Sequence, residues 1–182
     1  MRKVVFLLVF TLTVIGLLSA CSNDSDKDND FPGTIIEEVK CNPTITAFFD
    51  EKVYSGSNYS IMGGDYTPFL NEKTGEIRDI IVINSEEELL ELFPDAINLP
   101  EIDFSKNSLV IGRMHFVNTL GEKRPIEQKR KVMYKNGNDY TLSLYYSYSI
   151  IEIASDMVEY VATWGIYPKL SSNSLNIILK FV

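Results

Sequence analysis

The side chains able to do chemistry are few and poorly grouped. His115 is the only histidine, set in Arg113-Met114-His115-Phe116. One histidine cannot build a histidine-rich zinc site, and the chain holds neither Cys-x-x-Cys nor His-Glu-x-x-His. Cys41 has Lys40 beside it and little else to stabilise a thiolate, so it reads as a small buried apolar residue. A Cys41–His115 nucleophile and base pair has no support in the spacing; His115 reads as a satisfied strand histidine. Acidic pairs occur at Glu37-Glu38, Glu86 to Glu88, and Glu101 with Asp103. Glycoside hydrolysis needs two carboxylates flanking a cleft, but Glu86 to Glu88 are explained by a first helical turn, where negative charge suits the dipole. Asp24, Asp26 and Asp28 match the first ligand positions of a calcium loop, yet Asn29 replaces its glycine and Ile35 its terminal glutamate. There is no Gly-x-Ser-x-Gly elbow, phosphate loop or dinucleotide fingerprint. The expectation is no catalytic residue, no metal and no cofactor.

Aromatic and basic groups offer binding chemistry instead. Tyr145, Tyr146, Tyr148, Tyr160, Trp164 and Tyr167 crowd the last third. Strand alternation sets Tyr146, Tyr148, Tyr160 and Trp164 on apolar faces, with Trp164 expected in the core beside Leu89 and Phe93. Tyr145 and Tyr167 fall on polar faces and are candidates to stack on a sugar or clamp a peptide. From Glu122 to Lys135, six basic residues oppose two acidic ones, a local charge of +4. Lys129 and Lys131 are candidate contacts there for an anionic partner. The competing reading is an edge strand guarded by charge.

The N-terminus gives the address. Arg2 and Lys3 precede an uncharged apolar run from Val4 to Leu18, ending in Leu17-Leu18-Ser19-Ala20-Cys21. A basic start, an apolar middle and small residues before a cut describe a secretory signal peptide. A membrane-spanning helix, which needs about 20 apolar residues, fits less well, since no basic cluster follows Cys21. The Leu-x-Ser-Ala-Cys ending resembles a bacterial lipobox. That resemblance implies cleavage before Cys21, lipid on its sulfur and new amino group, and attachment to a membrane. Residues 22–33 are nearly all Asp, Asn, Ser, Lys, Pro and Gly, a composition that cannot order itself. This acidic tether is similar to the export signals of Bacteroidetes surface lipoproteins, which implies display at the outer membrane.

Removing residues 1–20 takes Lys and Arg from 17 to 15 against 25 Asp and Glu, a net charge of −10. That balance argues against a nucleic-acid partner. About 150 residues then remain after the tether, the common size of one domain. With Cys21 lipidated, Cys41 has no intrachain disulfide partner.

The elements that must position these groups are mostly strands. Thr34–Lys40 and Thr44–Phe49 are short β-rich runs, and Ser55 to Gly64 is turn-rich. Tyr66–Leu70 and Glu76–Ile83 suggest a hairpin, with Ile80 to Ile83 covered on both faces. Ser85 and Glu88 form a capping box for a helix that presents Leu89, Leu90 and Phe93 and stops at Pro94. Leu109–Val117 reads as a central strand. Asn136-Gly137 turns a second hairpin over Lys129–Ser149, and Val158–Ile166 and Leu175–Phe181 complete the strands.

Two stretches carry a family resemblance. They are Ile81-Val82-Ile83-Asn84-Ser85-Glu86-Glu87-Glu88-Leu89 and Leu99-Pro100-Glu101-Ile102-Asp103-Phe104-Ser105-Lys106-Asn107-Ser108-Leu109-Val110-Ile111. Their order of strand, capped helix, Pro-x-x-Asp-Phe-Ser loop and strand resembles the C-terminal domain of the protease-complex stability protein family, found in many bacterial lipoproteins. The match covers about a fifth of the chain, and the family's Gly-rich, Pro-containing turn is replaced by Leu120-Gly121-Glu122-Lys123-Arg124-Pro125. The resemblance implies an α+β accessory or interaction module and brings no catalytic residues.

The sequence therefore predicts a signal peptide over 1–20, a tether over 21–33 and one α+β domain over 34–182. That domain is a mainly antiparallel β-sheet of six to eight strands with one short packed helix. The expected role is a membrane-anchored, non-enzymatic binding or accessory module for a protein or glycan partner. A small cell-envelope or polysaccharide hydrolase is the alternative, and a cleft of converging polar side chains would mark it.

Overall fold

A computed structural model describes residues 33–53, 56–58, 70–71, 76–77, 79–94, 96–153, 158–171 and 174–182. The signal segment, Cys21, the tether with Asp24, Asp26 and Asp28, and most of the turn-rich stretch from Ser55 to Gly64 lie outside the described residues. Phe31–Val182 forms one compact unit; the other, Met1–Asp30, lies wholly outside the described residues.

Helix α1, Pro43–Lys52, follows strand β1, Thr34–Ile36. This corrects the expectation of a strand over Thr44–Phe49. Thr44, Ile45, Thr46, Phe48 and Phe49 favour strands one at a time. The helix wins because Asn42 caps it, its side chain accepting from the Ile45 backbone at 2.9 Å, and Pro43 fills the first turn. Ile45 and Phe49, one turn apart, then share a buried face. A second helix therefore joins the one expected. That helix, α2, spans Glu86–Leu92. Ser85 Oγ accepts from the Glu88 backbone at 3.1 Å, and Glu88 reaches back to the Asn84 backbone at 2.6 Å.

The remaining strands are β2 (Gly56–Asn58), β3 (Leu70–Asn71), β4 (Glu76–Ile77), β5 (Ile80–Ile83), β6 (Asn107–Val117), β7 (Lys123–Asn136), β8 (Asp139–Ile150), β9 (Val158–Pro168) and β10 (Leu175–Phe181). They build two four-stranded sheets, ordered β1-β7-β8-β10 and β2-β9-β6-β5, and a small β3–β4 ribbon. All pairings are antiparallel except β8 with β10. The fold is α+β with an antiparallel majority. Of the hairpin expected over Tyr66–Ile83, Leu70 pairs with Ile77 and Asn71 with Glu76, while β5 leaves it to pair with β6. The β7–β8 turn closes as expected at Asn136↔Asp139, with Gly137 at φ 61°.

Alternation along the strands shows a three-layer order. Leu109, Ile111, Trp164 and Ile166 point to one side of the β2-β9-β6-β5 sheet and pack with Ile45 and Phe49 of α1, Leu89 of α2, and Phe93. Val110, Val161 and Tyr167 point to the other side and pack with Met133, Leu142, Leu144, Tyr146 and Leu175 of the first sheet. Strand β5 serves both cores, with Ile81 and Ile83 on the helix side and Ile80 and Val82 between the sheets, as its unbroken apolar run requires. Gly112 makes room for the sheets to meet, since a Cβ there would sit 2.6 Å from Ile177 Cδ1.

Two core expectations change. Trp164 is half-buried and leans on α1 rather than α2: its ring centroid lies 5.0 Å from that of Phe49, and Nε1 donates to Asp50 Oδ1 at 2.8 Å. Tyr148 lies 40 % exposed at the strand end, edge-on to Phe181, with Lys123 Nζ 4.0 Å from its ring centroid.

Candidate functional site

After β1 the chain leaves the first sheet and crosses the open side of the sandwich. Residues 37–42 form this strap, fixed to β9 where the Val39 backbone donates to the Ile166 carbonyl at 2.7 Å. The strap carries Glu38 and Cys41 over the gap between β7 and β9. Lys131 of β7 turns into that gap, pairs with Glu38 Oε1 at 2.8 Å and donates to the Trp164 carbonyl. Tyr167 stands beneath, only 1 % exposed. Gly165 provides the space: a Cβ on it would lie 2.9 Å from both Glu38 Oε1 and Tyr167 Cε2, and 3.1 Å from Lys131 Nζ. Two of the four candidate contacts, Lys131 and Tyr167, are thus brought together, although their sequence spacing gave no hint of it.

The cluster holds its protons. Burial, then the Glu38 carboxylate, pushes the Tyr167 phenol far above its ordinary range. Burial also pushes the Cys41 thiol up, with Glu38 adding to that and Lys131 opposing. At neutral pH the site therefore presents a neutral phenol and a neutral thiol beside the Lys131–Glu38 ion pair. Cys41 is half-buried and donates to the Val39 carbonyl at 3.4 Å. These groups latch the strap over the gap, and burial disfavours the thiolate that nucleophilic attack needs.

The other two candidates lie elsewhere. Tyr145 is on the outer face of the first sheet, as alternation requires, but it is only 3 % exposed, so the expectation of an accessible ring is corrected. Arg130 stacks on it at 4.0 Å, and Lys180 lies 5.4 Å from its centroid. Tyr167 is corrected likewise, because both faces of β9 are covered and neither is a solvent face. Lys131 is corrected from an outward contact to a member of the gap. Lys129 is exposed and pairs with Glu127.

Tracing all six basic side chains of the 122–135 segment changes its reading. Lys123 lies over Tyr148, Arg124 bonds Glu159, Lys129 pairs with Glu127, Arg130 covers Tyr145, Lys131 holds Glu38, and Lys135 sits 5.5 Å from the Tyr140 centroid. Between Lys123 and Val132, no described residue pairs with the outer side of β7, and β1 reaches only Met133 to Lys135. The charges therefore line a strand edge.

His115 lies in β6 beside Tyr160, ring centroids 6.1 Å apart. Burial lowers its pKa, Arg113 adds to this and Asp79 opposes. It sits opposite Tyr160 of β9, whereas the strap carrying Cys41 is fixed at Ile166, so the two do not form a couple. Sequence reasoning missed Glu159, a carboxylate that is 6 % exposed, accepting from Asn118 Nδ2 at 2.7 Å and Arg124 Nε at 2.9 Å. Its only sequence signal is a charge between Val158 and Tyr160 in an apolar strand. In the Pro-x-x-Asp-Phe-Ser loop, Asp103 accepts from Lys106 Nζ and Ser105, which holds its carboxyl at about 2. Among the described residues there is no group of three or more His, Cys, Asp or Glu that could hold a metal, and no helix long and apolar enough to cross a membrane. No protein-family model, curated protein or solved structure matches the chain.

Proposed function

We propose that this chain is an exported lipoprotein whose folded unit serves as an accessory module that docks a protein partner. The observation that carries this reading is the separation of its two ends. The segment leading from Cys21 joins the fold at β1, where Thr34 pairs with Lys135 beside the β7–β8 turn. The opposite end of that hairpin lies about 40 Å away, at roughly 3.3 Å per strand residue. There Leu120, Ile150 and Ile153 are 63 %, 52 % and 84 % exposed. Two backbone bonds of 2.9 Å, Gly121 to the Ile151 carbonyl and Ile151 to the Glu122 carbonyl, tie their loops together. Below them Glu159 braces Asn118 and Arg124.

Exposed Leu and Ile gathered at one end suit burial against another protein. A glycan platform would want accessible aromatic rings; Tyr145 and Tyr167 are covered, and the exposed Tyr148 is engaged by Lys123 and Phe181. The resemblance of residues 80–117 to an accessory domain of bacterial lipoproteins agrees in kind. A photo-crosslinking residue placed at Ile153 in the full chain, expressed in its own cells, should capture one discrete protein, and the same probe at exposed Lys106 should not. No adduct at Ile153, or equal adducts at both positions, would overturn the docking role.

A further inference from the structure

The sheet built from β1, β7, β8 and β10 has two long free edges, and the sequence treats them in opposite ways. The β7 edge carries Pro125, register irregularities at Pro125/Glu127 and Gln128/Arg130, and the basic residues Lys123, Arg124, Lys129 and Arg130. Proline, bulges and charge are the devices that stop a free edge from recruiting another strand. Strand β10 has none of them except Lys180. Leu175 to Phe181 runs in unbroken register with Tyr140 to Tyr146 of β8, and among the described residues no strand pairs with its outer side. Its inward side chains Ile177, Leu179 and Phe181 join the inter-sheet core yet stay half-exposed.

We propose that the outer edge of β10 pairs antiparallel with β10 of a second copy of this chain, about a two-fold axis at Ile178, joining two four-stranded sheets into one of eight. The strand reads Leu-Asn-Ile-Ile-Leu-Lys-Phe. In polarity this is apolar, polar, three apolar, polar, apolar, the same in both directions and centred on Ile178. Antiparallel pairing about that residue sets Leu175 opposite Phe181, Asn176 opposite Lys180 and Ile177 opposite Leu179. Every inward residue then faces an apolar residue, and both polar residues face each other on the outer side. Centring on Ile177 would set Asn176 against Ile178; centring on Leu179 would set Lys180 against Ile178. A palindromic strand is what an isologous two-fold contact requires, since the same patch must complement itself, and a strand built for an unrelated partner has no such need. The contact also covers the half-exposed Ile177, Leu179 and Phe181.

The test is sedimentation of the purified full chain in detergent micelles over a concentration series, with variants at exposed Asn176. The two-fold axis places each Asn176 opposite Lys180 of the other copy. Asn176→Glu should therefore tighten the dimer, and Asn176→Lys should weaken it, each by about 3- to 10-fold as expected for two cross-strand charge pairs. Both leave the thermal melt of the monomer nearly unchanged. Ile178→Cys should form a disulfide-linked dimer on mild oxidation, whereas the wild-type chain with Cys41 should not. A wild-type chain that stays monomeric throughout, a dimer indifferent to both Asn176 variants, or capture of a different protein through Ile178→Cys would overturn the proposal.

Discussion

Tyr167 keeps its proton because burial and the Glu38 carboxylate both oppose ionisation. An unfolded tyrosine ionises near pH 10. Between that pH and the higher pKa of the folded state, the unfolded chain has lost a proton that the folded chain retains. Stability from this group is thus fully present below about pH 10 and declines as pH rises above it. Tyr167→Phe should flatten the fall in denaturant midpoint between pH 9 and 11. A slope equal to the wild type would show that Tyr167 ionises freely and that the gap is wet. Lys131 and Tyr167 also mark the limit of residue-scale reading. Alternation places Tyr167 on the face opposite Trp164 and Ile166, which is right as geometry. It could not say what lies on that side, because a sandwich with helices outside covers β9 twice and closes β7 with a strap from far upstream. Glu38, some ninety residues before Lys131, is invisible to any local pattern.

Elements were legible where a local signal and the tertiary context agree. Ser85 and Glu88 mark α2, Gly137 marks the β7–β8 turn, and the apolar run over β5 marks a strand with two covered faces. Helix α1 is not legible from Thr44–Phe49, whose residues favour strands one at a time; only Asn42-Pro43 signals its start. That helix then altered the surroundings of Trp164, which leans on Phe49 and bonds Asp50. A fully buried tryptophan costs about 3–5 kcal/mol when truncated to alanine. The half-buried Trp164 should cost less, about 2–3 kcal/mol by the same scale. Trp164→Phe keeps a ring against α1 and loses the hydrogen bond, for about 1 kcal/mol. Chemical denaturation of both variants separates packing from hydrogen bonding. Losses below about 0.5 kcal/mol in both would show that α1 does not need this ring. The charged stretch of β7 was legible in kind, since an edge guarded by lysines is one of its two readings. The individual partners, such as Tyr145 under Arg130, depend on a register broken by two bulges and could not be read from spacing.

At the scale of the whole molecule, the proposed lipoprotein address lies in Met1–Asp30 and the fold in Phe31–Val182. Strand β1 begins at Thr34 and packs within Phe31–Val182, so Cys21, the proposed lipid site, lies outside the compact unit. With the proposed cleavage before Cys21, the net charge of −10 disfavours spontaneous adhesion to an anionic membrane. In the proposed lipoprotein, attachment rests on acyl chains at Cys21, each buried CH₂ contributing about 0.8 kcal/mol, with more than one chain needed for stable anchoring. Cys21→Ala should abolish labelling by a clickable fatty acid and leave the signal segment uncleaved, visible as an intact mass that gains the roughly 2 kDa of 20 residues and lacks the acyl groups of the wild type. The folded unit should keep the wild-type thermal midpoint, because position 21 lies outside Phe31–Val182. Fatty-acid labelling of Cys21→Ala at the wild-type level would defeat the lipoprotein assignment and, with it, the two-ended arrangement on which partner docking depends.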